Sequence, residues 1–449
     1  MRRLTIRWLM GVFLLPLFPG GLLAQDNNFP LETIEPTLSG PTCFAIIVDS
    51  VTFSQVKEAI ELYRRSVEED GLPTYILVAR WSHPEQVRHV IRQLCHQENS
   101  RLEGVVLVGE IPIVLLGGAQ HLTSAFKMDE DKFPPPRSYV PTDRFYDDLD
   151  LDCEYVGQDS IDTLIHYYTL RSTSPAVVQR ELYSARIRTN TGNGDKHDGL
   201  KRFFEKVALR KSRPLEPLDQ VVTVYGYGYL SDSYTAIMDE VEALRQNLSL
   251  GTRAKGTVLS LFHLVHPNLK EQLLRTITRN NWDLFLLHCH GRVTKQFIEV
   301  EKNLTVTAFP AEFDSSATDT TIGSPGELTK LDLVSRRLGP ELIILDVCYN
   351  GAFPSPECLA MNYLFTEGEV VAVVGNSVNV RQDVTFMDEL GAVRCGVRIG
   401  TWHQLQPYLE SHLFGDPTFR FARTLEGKHK FSPPFQLATP ERPSEKYLR

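Results

Sequence analysis

Hydrophobic and polar positions alternate along this chain in blocks, with apolar runs of strand length followed by stretches of helical period. Residues 43–50 (CFAIIVDS), 74–80 (TYILVAR) and 104–110 (GVVLVGE) read as strands. Between the first two, residues 56–71 place Val56, Ile60, Leu62 and Tyr63 on an apolar side before Gly71, and a second helical pattern covers about 85–97. Unbroken apolar runs alternating with helices predict right-handed βαβ units and a buried parallel sheet. From 117 to 175 the pattern gives way to loops dense in Pro, Asp and Tyr, and ELYSARI at 181–187 closes the first half.

The alternation restarts near 195. Helices are expected over about 198–211, 233–247 and 355–366, with strands at 221–228, 284–291, 342–347 and 370–377. SHLFGDPTFRFAR at 411–423 is the last piece with an ordered pattern. The chain is therefore expected to be an α/β protein with two adjacent parallel-sheet subdomains, 42–194 and 195–425. A linker at 25–41 precedes them and a polar tail at 426–449 follows.

Residues 1–24 read as a signal peptide. Arg2, Arg3 and Arg7 supply a basic start, Trp8 to Phe18 a short apolar stretch, and Leu22-Leu23-Ala24 a cleavage point before Gln25. Pro16 and Pro19 make that stretch a poor membrane span, and no later run reaches spanning length. The expected product is exported, secreted or periplasmic, with no stable membrane span once the leader is removed.

Composition narrows the function classes. At 42% hydrophobic and 23% charged, the 449 residues can bury an ample core. A formal charge of −9 without a Lys/Arg stripe argues against nucleic acid as a partner. The seven cysteines are odd in number and form no CxxC pair, so no disulfide framework is expected. Cys289 between His288 and His290 is too crowded to chelate zinc tetrahedrally.

Two segments carry chemistry. LFLLHCHG at 284–291 ends an apolar run in His290 beside Gly291, and LIILDVCYNGAF at 342–353 delivers Cys348 just before Asn350 and Gly351. In α/β sheets, ligands and reactive groups gather at the carboxyl ends of strands. A thiol and an imidazole on two such ends are the minimum for a cysteine nucleophile with its base. The Gly291 and Cys348 amides are candidate donors to an oxyanion. Each residue also has a structural reading: a buried small hydrophobe for Cys348, and a capped carbonyl for His290. His288 competes with His290 but has no adjacent glycine.

A buried strand ending in His-Gly, followed by one ending in Asp-x-Cys with a glycine after it, resembles the caspase-like cysteine peptidases, and among these the gingipain family. LIILDVCYNGAFPSPECLA, VVAVVGNSVN and LFGDPTFRF are similar to that family's Cys segment, following strand and Gly-Asp-Pro terminus; PTDRFYDDLDLD and ELYSARI are similar to its first-half loop and strand. The likeness runs in order over about 43–425. It implies a caspase-like second subdomain and a cysteine-type endopeptidase acting on protein or peptide substrates. Cys348 would be the nucleophile, His290 the general base and acid, and Glu181 the carboxylate that orients the histidine.

The sequence departs from the family at Cys289, which stands where a glycine precedes the His-Gly pair, and at Ala185, which replaces a glycine. Only a short segment separates the leader from the first strand, too little for a large inhibitory pro-domain. A catalytically silent, exported binding or scaffold module on the same fold is the competing reading. A redox role for Cys289 with Cys348 is a weaker one. No cofactor is required for the chemistry. The acidic run containing Asp143, Asp147, Asp148 and Asp150 is a candidate for structural calcium, which takes several oxygens from a loop and is bound by members of the resembled family.

Overall fold

The computed structural model describes residues 29–96, 100–125, 133, 138–189, 195–249, 257–279, 282–299, 325–381 and 390–423. Among these, an eleven-stranded sheet is the spine. Across it lie Leu31–Ile34, Thr74–Ala79, Thr42–Asp49, Arg101–Val108, Tyr183–Ile187, Ser411–Gly415, Ala372–Asn376, Leu342–Asp346, Leu284–His288, Gln220–Tyr225 and Thr257–Phe262, in that order. Four strands from Thr74–Ala79 to Tyr183–Ile187 pair in parallel, and Leu31–Ile34 covers their outer edge antiparallel. The five strands from Ala372–Asn376 to Thr257–Phe262 form a second parallel block. Ser411–Gly415 joins the blocks: it pairs antiparallel with Ala372–Asn376 and sets Phe414 opposite Arg186. This is an α/β fold with two side-by-side blocks in one continuous sheet.

Burial explains the run pattern. Thr42–Asp49 is buried from Cys43 onward, and Leu284–His288 and Leu342–Asp346 are buried at every position. One apolar cluster extends from Phe44 and Ile46 in the first block to Phe285, Leu345 and Val373 in the second, where it takes in both faces of the strands. The helix Ser50–Glu69 begins earlier than its periodicity predicts because Asp49 caps it, accepting the Thr52 N–H, and a kink at Val56 divides it. Its Tyr63 stacks at 5.2 Å on Phe204 of the helix Lys196–Lys211, so helices of the two halves pack together. Full burial of each ring contributes about 1.5–3 kcal/mol.

Three segments differ from the sequence reading. A strand, Leu31–Ile34, forms within the expected linker. Ile113–Gly117, Val140–Pro141, Cys153–Gln158 and Ile165–Leu170 build a four-stranded sheet where loops were expected. Its edge strand Cys153–Gln158 has no buried residue, so it lacks the apolar run that marks the central strands. The strand Thr257–Phe262 and the helix Leu269–Ile277 were also unforeseen; that strand is the outer one of the large sheet and buries only Leu261 and Phe262. The leader at 1–24 and the tail at 426–449 lie outside the described residues. No described helix is long and apolar enough to cross a membrane.

The two blocks present carboxyl ends to the same edge. Arg188, just past Tyr183–Ile187, donates to the carbonyl oxygens of Phe353 and Pro354 at 3.0 and 2.9 Å, immediately beyond the Cys348 turn.

Candidate active site

The Cys348 turn is built on close backbone approach. Tyr349 takes φ +61°, a left-handed conformation that costs a β-carbon-bearing residue about 1–3 kcal/mol. It bends the chain away as soon as Cys348 has left the strand. The Gly351 amide donates to the Asn376 carbonyl at 2.8 Å, and a Cβ at Gly351 would stand 2.6 Å from the Gly375 carbonyl carbon. Only glycine lets the turn lie this close to the neighbouring strand. The half-buried Cys348 receives the Val380 N–H on its Sγ at 3.4 Å. The thiol also lies 3.9 Å from the Val380 carbonyl oxygen, to which it can donate.

His290 reaches the same edge from the adjacent strand. Leu284–His288 and Leu342–Asp346 are paired in parallel with His288 opposite Asp346. Two residues further along each chain segment, His290 and Cys348 stand just past the carboxyl ends of these adjacent strands. The hairpin His290–Arg292/Lys295–Phe297 then opens over the site. Asn350 locks it to the Cys348 turn, its Nδ2 donating to the carbonyls of Arg292 at 2.6 Å and Lys295 at 3.3 Å. Gly291 is confined too, since a Cβ there would meet Val347 Cγ1 at 2.3 Å.

The His290 ring lies in space left by another glycine. Its Cδ2 and Nε2 stand 2.4 and 2.5 Å from the position of a Gly228 Cβ. In an imidazole the Cδ2–Nε2 bond is opposite Nδ1, so Nδ1 points away from Gly228. Burial holds the His290 imidazole below its ordinary range, and the Asp232 charge pulls it partly back. It is therefore neutral near pH 7, the form that accepts a proton.

Asp232 is the functional candidate that the sequence reading missed. It lies in the loop after Gln220–Tyr225, where Leu230, Ser231 and Asp232 all take positive φ, 48°, 53° and 59°. Its Oδ1 accepts the Gly228 N–H at 2.8 Å and stands 2.6 Å from His263 Nε2. The available signal was a carboxylate within GYGYLSD, at the carboxyl end of a strand beside the His290 strand.

His288 and Cys289 fall out of the reacting group. His288 is fully buried, with Nδ1 2.9 Å from Asp346 Oδ2 and Nε2 3.5 Å from Glu240 Oε1, and Tyr225 stacks on its ring at 5.0 Å. Burial alone would depress this imidazole, but Glu240 and Asp346 raise it above its usual range. Cys289 points into the apolar core, as strand alternation allows, and leaves the cleft uncrowded. Neither Cys289 nor Cys348 is in a disulfide, and burial pushes the Cys289 thiol well up.

Glu181 is not brought to His290. It precedes Tyr183–Ile187, at the opposite end of that strand from Arg188, and the His290 strand lies four places away in the sheet. Its carboxylate accepts the Leu149 N–H at 2.7 Å. Nor does the acidic run converge. Asp143 makes a two-point pair with Arg186 at 2.9 and 2.7 Å; burial opposes its charge, and Arg186 overcomes that to hold the carboxyl below its usual range. Asp147 pairs with Arg144 at 3.2 Å and accepts from Ser184, Asp148 accepts the Gln179 N–H at 2.8 Å, and Asp150 is exposed. Burial pushes Asp147 up to about 7 and Asp148 to about 8. Among the described residues no group of three or more His, Cys, Asp or Glu side chains is arranged to hold a metal. Asp143 and Asp147 are engaged with arginines and Asp148 with a backbone amide, while Asp150 lies at the surface.

No protein-family model matches this chain, and no curated protein matches it in sequence. In structure it is similar to the Arg-specific cysteine proteinase gingipain R, with a TM-score of 0.51, covering 87% of this chain and 81% of that one at 13% identity. The fold is gingipain-like. At this identity the likeness is one of architecture alone, a caspase-like α/β sheet. The gingipain-like fold places the Cys348 and His290 turns side by side.

Proposed function

We propose that this chain is an exported cysteine-type endopeptidase. The observation that carries the reading is the parallel register of His288 with Asp346, which delivers His290 and Cys348 to one edge on adjacent strands. Cys348 Sγ attacks the scissile carbonyl while its proton passes to His290. The C–N bond then breaks, the amine leaves with that proton, and a thioester remains on Cys348. Water, deprotonated by His290, attacks the thioester, releases the acid and returns the thiol. General base assistance of this kind is worth about 10²–10⁴ in rate. The Gly291 and Cys348 amides would receive the oxyanion.

Asp232, not Glu181, is the carboxylate assigned to the imidazolium in this reading, because it shares Gly228 with the His290 ring. The leader at 1–24 supports export, and protein or peptide is the substrate class. Labelling with a thiol-reactive peptide electrophile tests the reading. Selective modification of Cys348 that is lost in His290→Ala supports it. Labelling no faster than at Cys395, the exposed cysteine, would assign the fold to a silent binding module.

A further inference from the structure

His263 stands outside the mechanism yet touches its carboxylate. It follows the outermost strand, Thr257–Phe262, two strands beyond the His290 strand and about 10 Å from it, too far to meet substrate at Cys348. Its backbone is fixed by donation to the Tyr225 carbonyl at 3.0 Å, and Tyr227 packs edge-on to its ring at 5.8 Å. From there Nε2 reaches Asp232 Oδ1 at 2.6 Å, with the two side chains 14% and 30% exposed. The same oxygen accepts the Gly228 N–H, and Gly228 is the residue against which the His290 ring lies. Asp232 Oδ1 thus contacts His263 directly and holds the amide of the glycine on which the His290 ring rests.

The loop has no intrinsic reason to hold this shape. Three successive residues with side chains, Leu230 to Asp232, are left-handed, and each costs about 1–2 kcal/mol. Contacts must hold Asp232 in place, and His263 supplies one that is not backbone.

Resting on the peptidase reading, we propose that His263 is a positioning residue: it anchors Asp232 beside His290, and its own protonation changes the charge that Asp232 offers to the reacting imidazole. Neutral His263 donates Nε2–H and leaves the carboxylate charge to His290. Protonated His263 forms an ion pair that screens it, so His290 keeps its neutral, base-competent form to lower pH. Among the described residues, the titratable groups around His263 are Asp232 and Tyr227 from the 226–233 loop, His290 across Gly228, and His266 on its own turn, whose Nδ1 is engaged with the Phe262 backbone.

The test combines two readouts on the 25–449 chain. In Cys348→Ala, NMR of ring-labelled histidine follows His263 and His290 through pH 4–9. Mutually dependent titrations that separate in Asp232→Asn are expected, and independent curves in both proteins overturn the proposal whether or not the chain cleaves peptide. With Cys348 intact, His263→Gln keeps a donor but no titration. It should retain kcat within about twofold at pH 8 and move the acid limb of kcat/KM to higher pH. His263→Ala should lower kcat about ten- to a hundredfold with KM little changed, the scale of a misplaced catalytic group. An unshifted acid limb in His263→Gln also overturns it. Coupled titrations in a chain that cleaves nothing would remove the peptidase reading while leaving the shared carboxylate in place.

Discussion

The His290 imidazole occupies the volume that a side chain on Gly228 would fill, with Nε2 2.5 Å from that missing Cβ. Gly228 also sits at φ +78°, so its absent side chain serves both the backbone and the ring. Gly228→Ala should push the imidazole out of its place. The expected result is a fall in kcat/KM of about a hundredfold, with the far-ultraviolet circular dichroism spectrum unchanged. Activity within threefold of wild type would show that the ring does not need this position.

The two histidines flanking Cys289 have opposite parts. His290→Ala should abolish turnover and leave stability within about 1 kcal/mol, since the ring is only half-buried. His288→Ala should unfold more readily, by about 3–5 kcal/mol in urea titration, because Glu240 and Asp346 are left buried without the imidazole they face. Equal effects of the two substitutions on stability would refute this division.

Glu181 lies away from the reacting edge. Glu181→Gln should therefore cleave peptide at a rate within about threefold of wild type, whereas Asp232→Asn should lose about tenfold or more. Asp232→Asn should also move the acid limb to lower pH, because the charge that helps His290 hold a proton is gone. A large loss in Glu181→Gln would restore the role that the family resemblance implies.

His412 is buried against the Pro141 carbonyl at 3.1 Å, and burial, with Arg144 nearby, lowers its imidazole to about 3. The unfolded chain binds this proton near pH 6.5 and the folded chain does not. As pH falls below 6.5 the unfolded state gains, by about 1.4 kcal/mol per unit for one group, until the folded value is reached. Urea midpoints at pH 7 and pH 5 for wild type and His412→Gln check this. The drop should be smaller in the variant by about 2 kcal/mol, and equal drops would contradict it.

The sequence pattern revealed what depends on burial and concealed what depends on distant pairing. Leu284–His288 and Leu342–Asp346 are buried at every position, so each appears as an unbroken apolar run whose end marks the edge where Cys348 and His290 stand. Thr257–Phe262 and Cys153–Gln158 are edge strands with few or no buried residues; the second read as loop and the first drew no assignment. Asp143 read as a candidate calcium ligand because its partner, Arg186, is 43 residues away. Asp232 was hidden for a local reason: Leu-Ser-Asp does not advertise three left-handed residues, and only the folded loop turns its carboxylate toward Gly228.

The most direct measurement is cleavage of an unbiased peptide library by residues 25–449, wild type beside Cys348→Ala, with and without calcium. The account predicts cleavage by wild type in both conditions and none by the variant. No cleavage by wild type in any condition, or equal cleavage by both proteins, would contradict it.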